Sequence, residues 1–189
     1  MGSPCVGKTA VSQQLATKLN AFHIDLAEIV TKEKLTSGMD KKRKTLIADR
    51  AKLSKRVQQI MRQHGQDQNI IIDGHYAADV VPAKNITKVF VLRRHPEELK
   101  KLMEKRGFKE RKTWENLAAE ILDVCLYDAL KTAGVDKVCE VDLTGKAIEE
   151  VVIEIVSILD EKKPCTVGIV DWLGKLEQEK SLDKFLKEF

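Results

Sequence analysis

The chain opens with Gly2-Ser3-Pro4-Cys5-Val6-Gly7-Lys8-Thr9, which fills every fixed position of the pattern G-x-x-x-x-G-K-[ST]. Glycines let the main chain approach a phosphate group closely, and inward-facing backbone N–H groups form a cradle for its oxygens. In this pattern Lys8 brings a positive charge to the β- and γ-phosphates, and the Thr9 hydroxyl is placed for Mg²⁺. The alternative is a Gly-Ser-Pro turn that caps an ordinary helix. We predict a site for a nucleoside triphosphate.

Beyond this loop, short apolar runs alternate with helical patterns. Residues 9–19 are typical of a helix whose positive N-terminal end would face the phosphates. The clearest buried strand holds three consecutive isoleucines and ends on Asp73. The alternation predicts an α/β fold in which a parallel sheet carries helices on both faces. The apolar run is 21–25, the strands are 69–73, 88–93 and 137–143, the helices are 26–34, 46–61, 96–106, 114–132 and 147–160, and a Ser-Gly pair predicts a turn at 36–40.

The composition is that of one globular domain. The chain has 189 residues, of which 43% are hydrophobic and 33% charged, enough for a single core. No apolar run reaches the roughly 18 residues of a membrane span, and no signal peptide is visible, so we expect no membrane contact. The cysteines lie far apart without C-x-x-C spacing, which favours unpaired thiols in a reducing, cytoplasmic compartment over zinc or disulfides. They are Cys5, Cys125, Cys139 and Cys165.

Two stretches of the chain are strongly basic. Residues 41–56 carry eight basic side chains against one acid, and residues 93–112 carry nine against four. Solvated helix faces are the usual explanation of such runs. Beside a phosphate loop they also favour an anionic substrate or an RNA-rich setting.

The last 21 residues, 169–189, repeat the apolar spacing of an amphipathic helix twice. Either this tail packs on the core of its own chain, or it docks on a partner.

Asp73 lies where α/β sheets place their ligands, at the carboxyl end of a strand. A second oxygen ligand for Mg²⁺ would sit there, next to the one that the loop supplies. The alternative is that Asp73 caps a helix or forms a turn. His75 follows two residues later and is either functional or an ordinary hydrogen-bonded histidine.

Residues 106–112 are basic and follow a predicted helix. A phosphoryl group in transfer carries negative charge on its equatorial oxygens, and a mobile segment with Arg and Lys can close over it as a lid. The alternative is a helix end rich in cations, which the helix dipole favours in any case.

Four features of the chain together resemble the archaeal/eukaryotic adenylate kinase isoenzyme six family. They are the phosphate loop, Asp73-Gly-His75 after a strand, Val91-Leu-Arg93, and the Arg-Gly-Phe run that continues through Glu-Asn to Glu120. Val170-Asp-Trp-Leu173 in the tail is also similar to archaeal members. The resemblance covers essentially the whole chain, and the stretch from Arg106 to Glu120 is more specific than the loop.

The resemblance implies a P-loop nucleoside-monophosphate-kinase fold in residues 1–163 and a helical extension in 164–189. It implies Mg²⁺-dependent adenylate kinase and ATPase activity, with ATP and AMP as substrates. It further implies a role in maturation of the small ribosomal subunit, through a platform ribosomal protein of the S-eleven family, with contact to rRNA.

The resemblance also assigns roles to residues. Residues 25–47 would be the monophosphate segment and 105–115 the lid. The ATP-binding residues would be Cys5, Gly7, Lys8, Thr9, Ala10 and Arg106, with Cys5 and Ala10 contributing through their backbone. The catalytic residues would be Lys8, Asp73, His75 and Arg106, the Mg²⁺ ligands Thr9 and Asp73, and the monophosphate contacts Asp25 and Gly38.

The chain departs from the family at two points. Cys5 stands where the family usually has glycine, which puts a Cβ near the phosphates. The family also opens with an apolar strand, central in the sheet order 2-3-1-4-5, whereas this chain starts at Met1. Without that strand, two predicted strands would face each other with unpaired backbone groups, each costing about 1–3 kcal/mol if buried. We expect a native start about ten residues upstream, enough for a strand.

Three functions are compatible with these features. The first is an adenylate kinase, and the second is an assembly factor in which ATP binding and slow hydrolysis switch the grip on a ribosomal component. The third is a small-molecule kinase of the shikimate or nucleoside type, against which the stretch from Arg106 to Glu120 argues.

Overall fold

The computed structural model describes residues 1–40, 45–65 and 67–186. Its strands form two parallel pairs and one antiparallel hairpin, with helices packed around them. The strands are β1 (Phe22–Asp25), β2 (Thr36–Asp40), β3 (Thr45–Ala48), β4 (Ile70–Asp73), β5 (Val89–Arg93) and β6 (Val138–Asp142). In the parallel pairs β1 lies beside β4 and β5 beside β6, and the hairpin joins β2 to β3.

Helices connect the strands of each parallel pair, as a crossover between parallel strands requires. They are α1 (Lys8–Leu19), α2 (Leu26–Lys32), α3 (Arg50–His64), α4 (Ala77–Val80), α5 (Pro96–Lys105), α6 (Glu110–Ile121), α7 (Val124–Ala133), α8 (Ile148–Leu159), α9 (Trp172–Gln178) and α10 (Asp183–Leu186). Among the described residues, no helix is both long and apolar enough to cross a bilayer.

The buried side chains form two clusters. One lies where α1, α5, α6 and α8 pack with β5, β6 and the tail, and includes Leu99, Leu117 and Ile155. The other gathers β1, α3, α7 and the opposite side of β5, and includes Leu53 and Val91. Apolar residues on helices that cover both faces of the strands are what the predicted α/β fold requires, and that prediction is confirmed.

The chain enters the phosphate loop from the edge of β5. The Met1 amino group donates to the Phe90 carbonyl at 2.6 Å, and the Leu92 N–H donates to the Met1 carbonyl at 2.9 Å. Gly2 follows with φ of 141°, and a Cβ there would lie 2.5 Å from the Leu92 carbonyl oxygen. Glycine is therefore required where the chain leaves β5 for the loop.

The predicted turn at 36–40 is wrong, because these residues form β2 of a hairpin. The helix predicted from residue 46 begins only at Arg50, since Leu46 and Ile47 belong to the exposed strand β3. Asp49 starts the helix by accepting a hydrogen bond from the Lys52 N–H at 3.1 Å. Residues 41–44 of the predicted monophosphate segment and of the first basic stretch lie outside the described residues.

The long helix predicted over 114–132 is in fact two helices, α6 and α7. The break falls at Asp123, whose φ of 56° is left-handed. The Asp123 carboxylate pairs there with Arg93, a tertiary contact that local periodicity does not reveal.

The tail also forms two short helices, α9 and α10, and packs on the core of its own chain. Trp172, Leu176 and Phe185 are buried in the first cluster. Residues 187–189, the end of the predicted apolar pattern, lie outside the described residues.

The expectation that all cysteines are unpaired is wrong for two of them. Cys139 and Cys165 form a disulfide, 26 residues apart in sequence. The segment before the tail runs along β6, where the Glu140 N–H donates to the Thr166 carbonyl at 2.8 Å. That pairing brings the two cysteines together. Cys5 and Cys125 are free thiols.

Candidate active site

The phosphate loop ends on a helix whose first N–H groups face the site. Gly7 is the N-terminal cap of α1, with φ of 121° and no side chain to occupy those N–H groups. A Cβ at Gly7 would lie 3.0 Å from the Leu143 side chain. Cys5 adopts φ of 65°, a conformation that usually favours glycine. Left-handed residues next to a helix N-terminus form the kind of concavity that binds anions.

The Lys8 ammonium lies against the loop itself. Its Nζ donates to the Ser3 carbonyl oxygen at 2.9 Å. Burial lowers the pKa of Lys8 below its ordinary value, while the charge of Asp73 acts in the opposite direction. A positive charge that is partly removed from water interacts strongly with an incoming phosphate.

Thr9 and Asp73 meet at the mouth of the loop. The Thr9 hydroxyl donates to Asp73 Oδ2 at 2.7 Å, and Asp73 is 4% exposed at the end of β4. A hydroxyl and a carboxylate are the oxygen donors that Mg²⁺ accepts, so this pair suits the ion that a phosphate loop uses. The structure thus joins two residues that are 64 positions apart.

Asp25 is the register partner of Asp73, at the end of the neighbouring strand β1. Its Oδ1 accepts hydrogen bonds from the N–H groups of Ala27 at 2.8 Å and Glu28 at 3.1 Å. Asp25 therefore caps α2 and lies beside Asp73, which with Thr9 forms the pair of oxygen donors suited to Mg²⁺. Carboxyl ends of parallel strands are the usual place for ligands in such folds.

His75 follows β4 and lies near the positive charges of the site. Its ring makes an edge contact with Tyr76, with centroids 4.3 Å apart. Although the residue as a whole is exposed, desolvation of the imidazole, together with the charges of Lys8 and Arg50, lowers the pKa of His75 to about 4. The side chain is therefore neutral near pH 7, so it can exchange hydrogen bonds without adding a charge.

Arg106 ends α5 and reaches back to the loop. Its Nη1 donates to Cys5 Sγ at 3.9 Å, while the residue as a whole is exposed. Gly107 follows with φ of 72°, and the predicted lid, residues 105–115, runs from the end of α5 into α6. Arg106, which the sequence predicts to be the lid arginine, is thus a neighbour of the phosphate loop.

Two further predicted site residues lie on α1 and on the hairpin. Ala10 is exposed on the first turn of α1, directly after Thr9, so its backbone, the predicted contributor, lies at the N-terminal end of the helix. Gly38 pairs with Ile47 in the hairpin, and nothing lies within 4 Å of the place a Cβ would take. Gly38 therefore lies on an open part of the hairpin, and its predicted contact with the monophosphate stays a prediction.

A buried charged cluster behind the loop was not predicted. Arg93, 1% exposed at the end of β5, forms ion pairs with Glu120, Asp123 and Glu140. Burial alone would lower the pKa of Arg93, but the three carboxylates outweigh it and raise the pKa. The sequence did contain one indication of this cluster: Arg93 ends an apolar strand, and a buried charge at that position needs acidic partners.

Arg94, the next residue, supports the loop from outside. Its Nε donates to the Val6 carbonyl at 3.2 Å, and its Nη1 pairs with Glu98 at 2.8 Å. Glu98 in turn accepts from the Gly145 N–H at 3.2 Å. The loop, α5 and the turn after β6 are joined in this way.

Fold and site together define a P-loop protein of the nucleoside-monophosphate-kinase fold. A family model described as an AAA domain matches residues 1–123, and the chain belongs to that family. Among solved structures, a thymidylate kinase from Candida albicans superposes with a TM-score of 0.55 at 18% identity, covering 85% of this chain and 89% of that one. At this identity the likeness shows the fold.

Similar archaeal proteins define the family of this chain more closely. Proteins named "Putative adenylate kinase" are 38% identical in Methanocaldococcus jannaschii over 92% of this chain and 91% of that protein. The relative of the same name in Pyrococcus furiosus is 34% identical over 94% of this chain and 91% of that protein. The one in Methanosarcina acetivorans is 35% identical over 93% of this chain and 96% of that protein. The chain belongs to the family of these archaeal proteins.

Proposed function

We propose that the protein is an adenylate kinase that transfers the terminal phosphoryl group of ATP to AMP, with a broader monophosphate range and a slower ATPase activity. The observation that carries the proposal is the Thr9–Asp73 hydrogen bond beside Lys8, at the mouth of a loop that ends on a helix N-terminus. The names of the archaeal relatives support AMP as the acceptor.

The reaction forms a bond from an AMP phosphate oxygen to the γ-phosphorus and breaks the bond to the β,γ-bridging oxygen, giving two ADP. Thr9 and Asp73 would hold Mg²⁺ by their oxygens, and the ion would supply positive charge to the phosphates. Lys8 exchanges the Ser3 carbonyl for phosphate oxygens. Arg106 lies close enough to Cys5 to approach the same phosphates when the lid closes.

The monophosphate segment, residues 25–47, includes the end of β1, where Asp25 stands next to Asp73. We propose that AMP enters on this side, so that its phosphate lies between the loop and α2. Neutral His75 then offers a hydrogen bond to a phosphate oxygen without competing with Lys8 for charge.

We also propose that the enzyme acts in the cytoplasm in maturation of the small ribosomal subunit, in contact with a platform ribosomal protein of the S-eleven family and with rRNA. The support is the second basic stretch, whose exposed side chains cover α5, the lid and the start of α6. A surface rich in Lys and Arg attracts nucleic acid without specific readout. The exposed cations are Lys101, Lys105, Arg106, Lys109, Arg111 and Lys112.

The alternative function, an ATP-switched assembly factor with little kinase activity, rests on the same basic surface. The tail gives this alternative less support, because α9 and α10 pack their apolar residues on the core of the same chain rather than presenting them to a partner. The fold neighbour leaves a kinase for another small molecule as a third candidate.

A coupled assay that follows ADP production separates these candidates. Addition of AMP should stimulate ADP production strongly, and a panel of other acceptors should be used more slowly. Lys8→Ala should abolish both transfer and hydrolysis, because both require the triphosphate to be held. Lys18→Ala, at the exposed end of the same helix, is the matched control. ADP production that AMP leaves unchanged would refute the kinase, and full turnover by Lys8→Ala would refute the site.

A further inference from the structure

The Glu120 carboxylate joins three parts of the molecule that are distant in sequence. Its Oε2 accepts a hydrogen bond from the Ser3 hydroxyl at 2.6 Å. Its Oε1 accepts from Arg93 Nε at 2.9 Å and from Trp172 Nε1 at 3.3 Å. Glu120 is 1% exposed, so each of these hydrogen bonds is shielded from water. Glu120 thereby connects the phosphate loop, β5 and the C-terminal helix α9.

Ser3 contacts both Glu120 and Lys8, the lysine of the phosphate loop. Its side chain is 1% exposed and ends on Glu120, while its carbonyl accepts from Lys8 Nζ. The same residue is therefore anchored by its hydroxyl and holds the ammonium by its main chain. The charge of Glu120 also acts on Lys8, raising its pKa against the larger effect of burial.

Trp172 connects the network to the tail. It opens α9 and is 5% exposed, with Leu176 buried one turn later. Its ring also meets His95 edge-on, with centroids 5.1 Å apart. The indole N–H can reach Glu120 only while α9 is seated on the core. The tail and the loop thus share a single buried carboxylate.

We infer that Ser3, Glu120 and Trp172 are positioning residues, through which the seated helix α9 holds the phosphate loop and Lys8 ready for the triphosphate. The reaction is the proposed transfer from ATP, so the inference rests on the proposed function. It adds that nucleotide affinity depends on a helix that does not itself touch the nucleotide site. Holding a binding group in place before the ligand arrives removes an entropy cost from binding.

The test uses variants of the full chain that remove one hydrogen bond each. Ser3→Ala removes the hydroxyl that reaches Glu120 and leaves the Arg93 pair intact. Trp172→Phe removes the indole N–H and keeps most of the packing. Ser181→Ala is the matched control, because Ser181 is 7% exposed and, among the residues that the structure describes, its hydroxyl donates within the tail, to the Leu176 carbonyl.

Calorimetry with Mg·ATP and with ADP measures the affinity directly, and urea midpoints measure stability. Ser3→Ala should raise the Kd for ATP by about threefold to tenfold, because that ratio corresponds to the free energy of one buried hydrogen bond. Trp172→Phe should raise that Kd by about twofold to fivefold on the same grounds. Ser181→Ala should bind ATP with the affinity of the wild type. Ser3→Thr keeps the hydroxyl and should therefore bind ATP more tightly than Ser3→Ala, with an affinity near that of the wild type.

The double variant gives the sharpest result. Because Ser3 and Trp172 act through one carboxylate, their effects on ATP affinity should be less than additive. The effect should appear in KM for ATP more than in kcat. Wild-type affinity in both single variants, or a loss that only follows the fall in the urea midpoint, would overturn the inference. A wild type that binds ATP but does not phosphorylate AMP would refute the proposed function alone, since the affinity test would still apply.

Discussion

Replacing Arg93 by methionine should destabilise the protein severely. The guanidinium is 1% exposed and lies among Glu120, Glu140 and Asp123, with a further hydrogen bond to the Glu120 carbonyl at 2.8 Å. Methionine keeps an unbranched, flexible apolar stem, although it is shorter than arginine, and carries no charge. Glu120 and Glu140, which are 1% and 2% exposed, would then be buried without a cation.

The magnitude follows from that burial. Removing one partner of a buried ion pair costs about 3–5 kcal/mol, because the remaining charge is neither solvated nor paired. The free energy of unfolding of a whole domain is only about 5–15 kcal/mol. For a chain of this size each kcal/mol corresponds to about 2–4 °C in Tm, so Tm should fall by about 6–20 °C.

Urea unfolding, followed by the fluorescence of the two tryptophans, measures the change. Arg56→Met is the control, because Arg56 pairs with Glu33 at 2.8 Å while both side chains are about one third exposed (33% and 35%). Loss of such a surface pair costs less than about 1 kcal/mol. If Arg93→Met lost no more stability than Arg56→Met, the buried cluster would not stabilise the fold in the way described.

His75 and the disulfide each give a further prediction. The pKa of His75 is about 4 in the folded protein, against an ordinary value of 6.5, so the unfolded chain binds the proton more readily and stability should fall as pH drops from 6.5 towards 4. His75→Gln should flatten that part of a plot of urea midpoint against pH, and superimposable plots would contradict the assignment. Thiol titration of the denatured, unreduced protein should count two thiols, and Cys165→Ser should cost about 2–4 kcal/mol. Four free thiols would rule out the bond between Cys139 and Cys165.

The secondary structure was predictable wherever local chemistry decided it. Three consecutive isoleucines form β4, and Pro96 opens α5 at the first helical position. The hairpin was missed because Leu46 and Ile47 fit a helical period, yet they pair with β2 and stay exposed. The break at Asp123 was missed because local periodicity does not reveal the ion pair that Asp123 forms there with Arg93, 30 residues away.

By itself, the sequence determined the phosphate loop, the predominantly parallel α/β architecture, and the residue types at the site. Those features depend on groups that are adjacent in the chain or on short periodic patterns. Only the tertiary structure decided which distant groups meet: Thr9 with Asp73, Arg106 with Cys5, and Ser3 with Glu120 and Trp172. The sequence marked Glu120 as the end of the stretch that begins at Arg106, but a glutamate in a helical pattern is usually exposed, so its burial was not predicted. Glu120 becomes the anchor of the loop because folding buries it, and a buried charge must find partners.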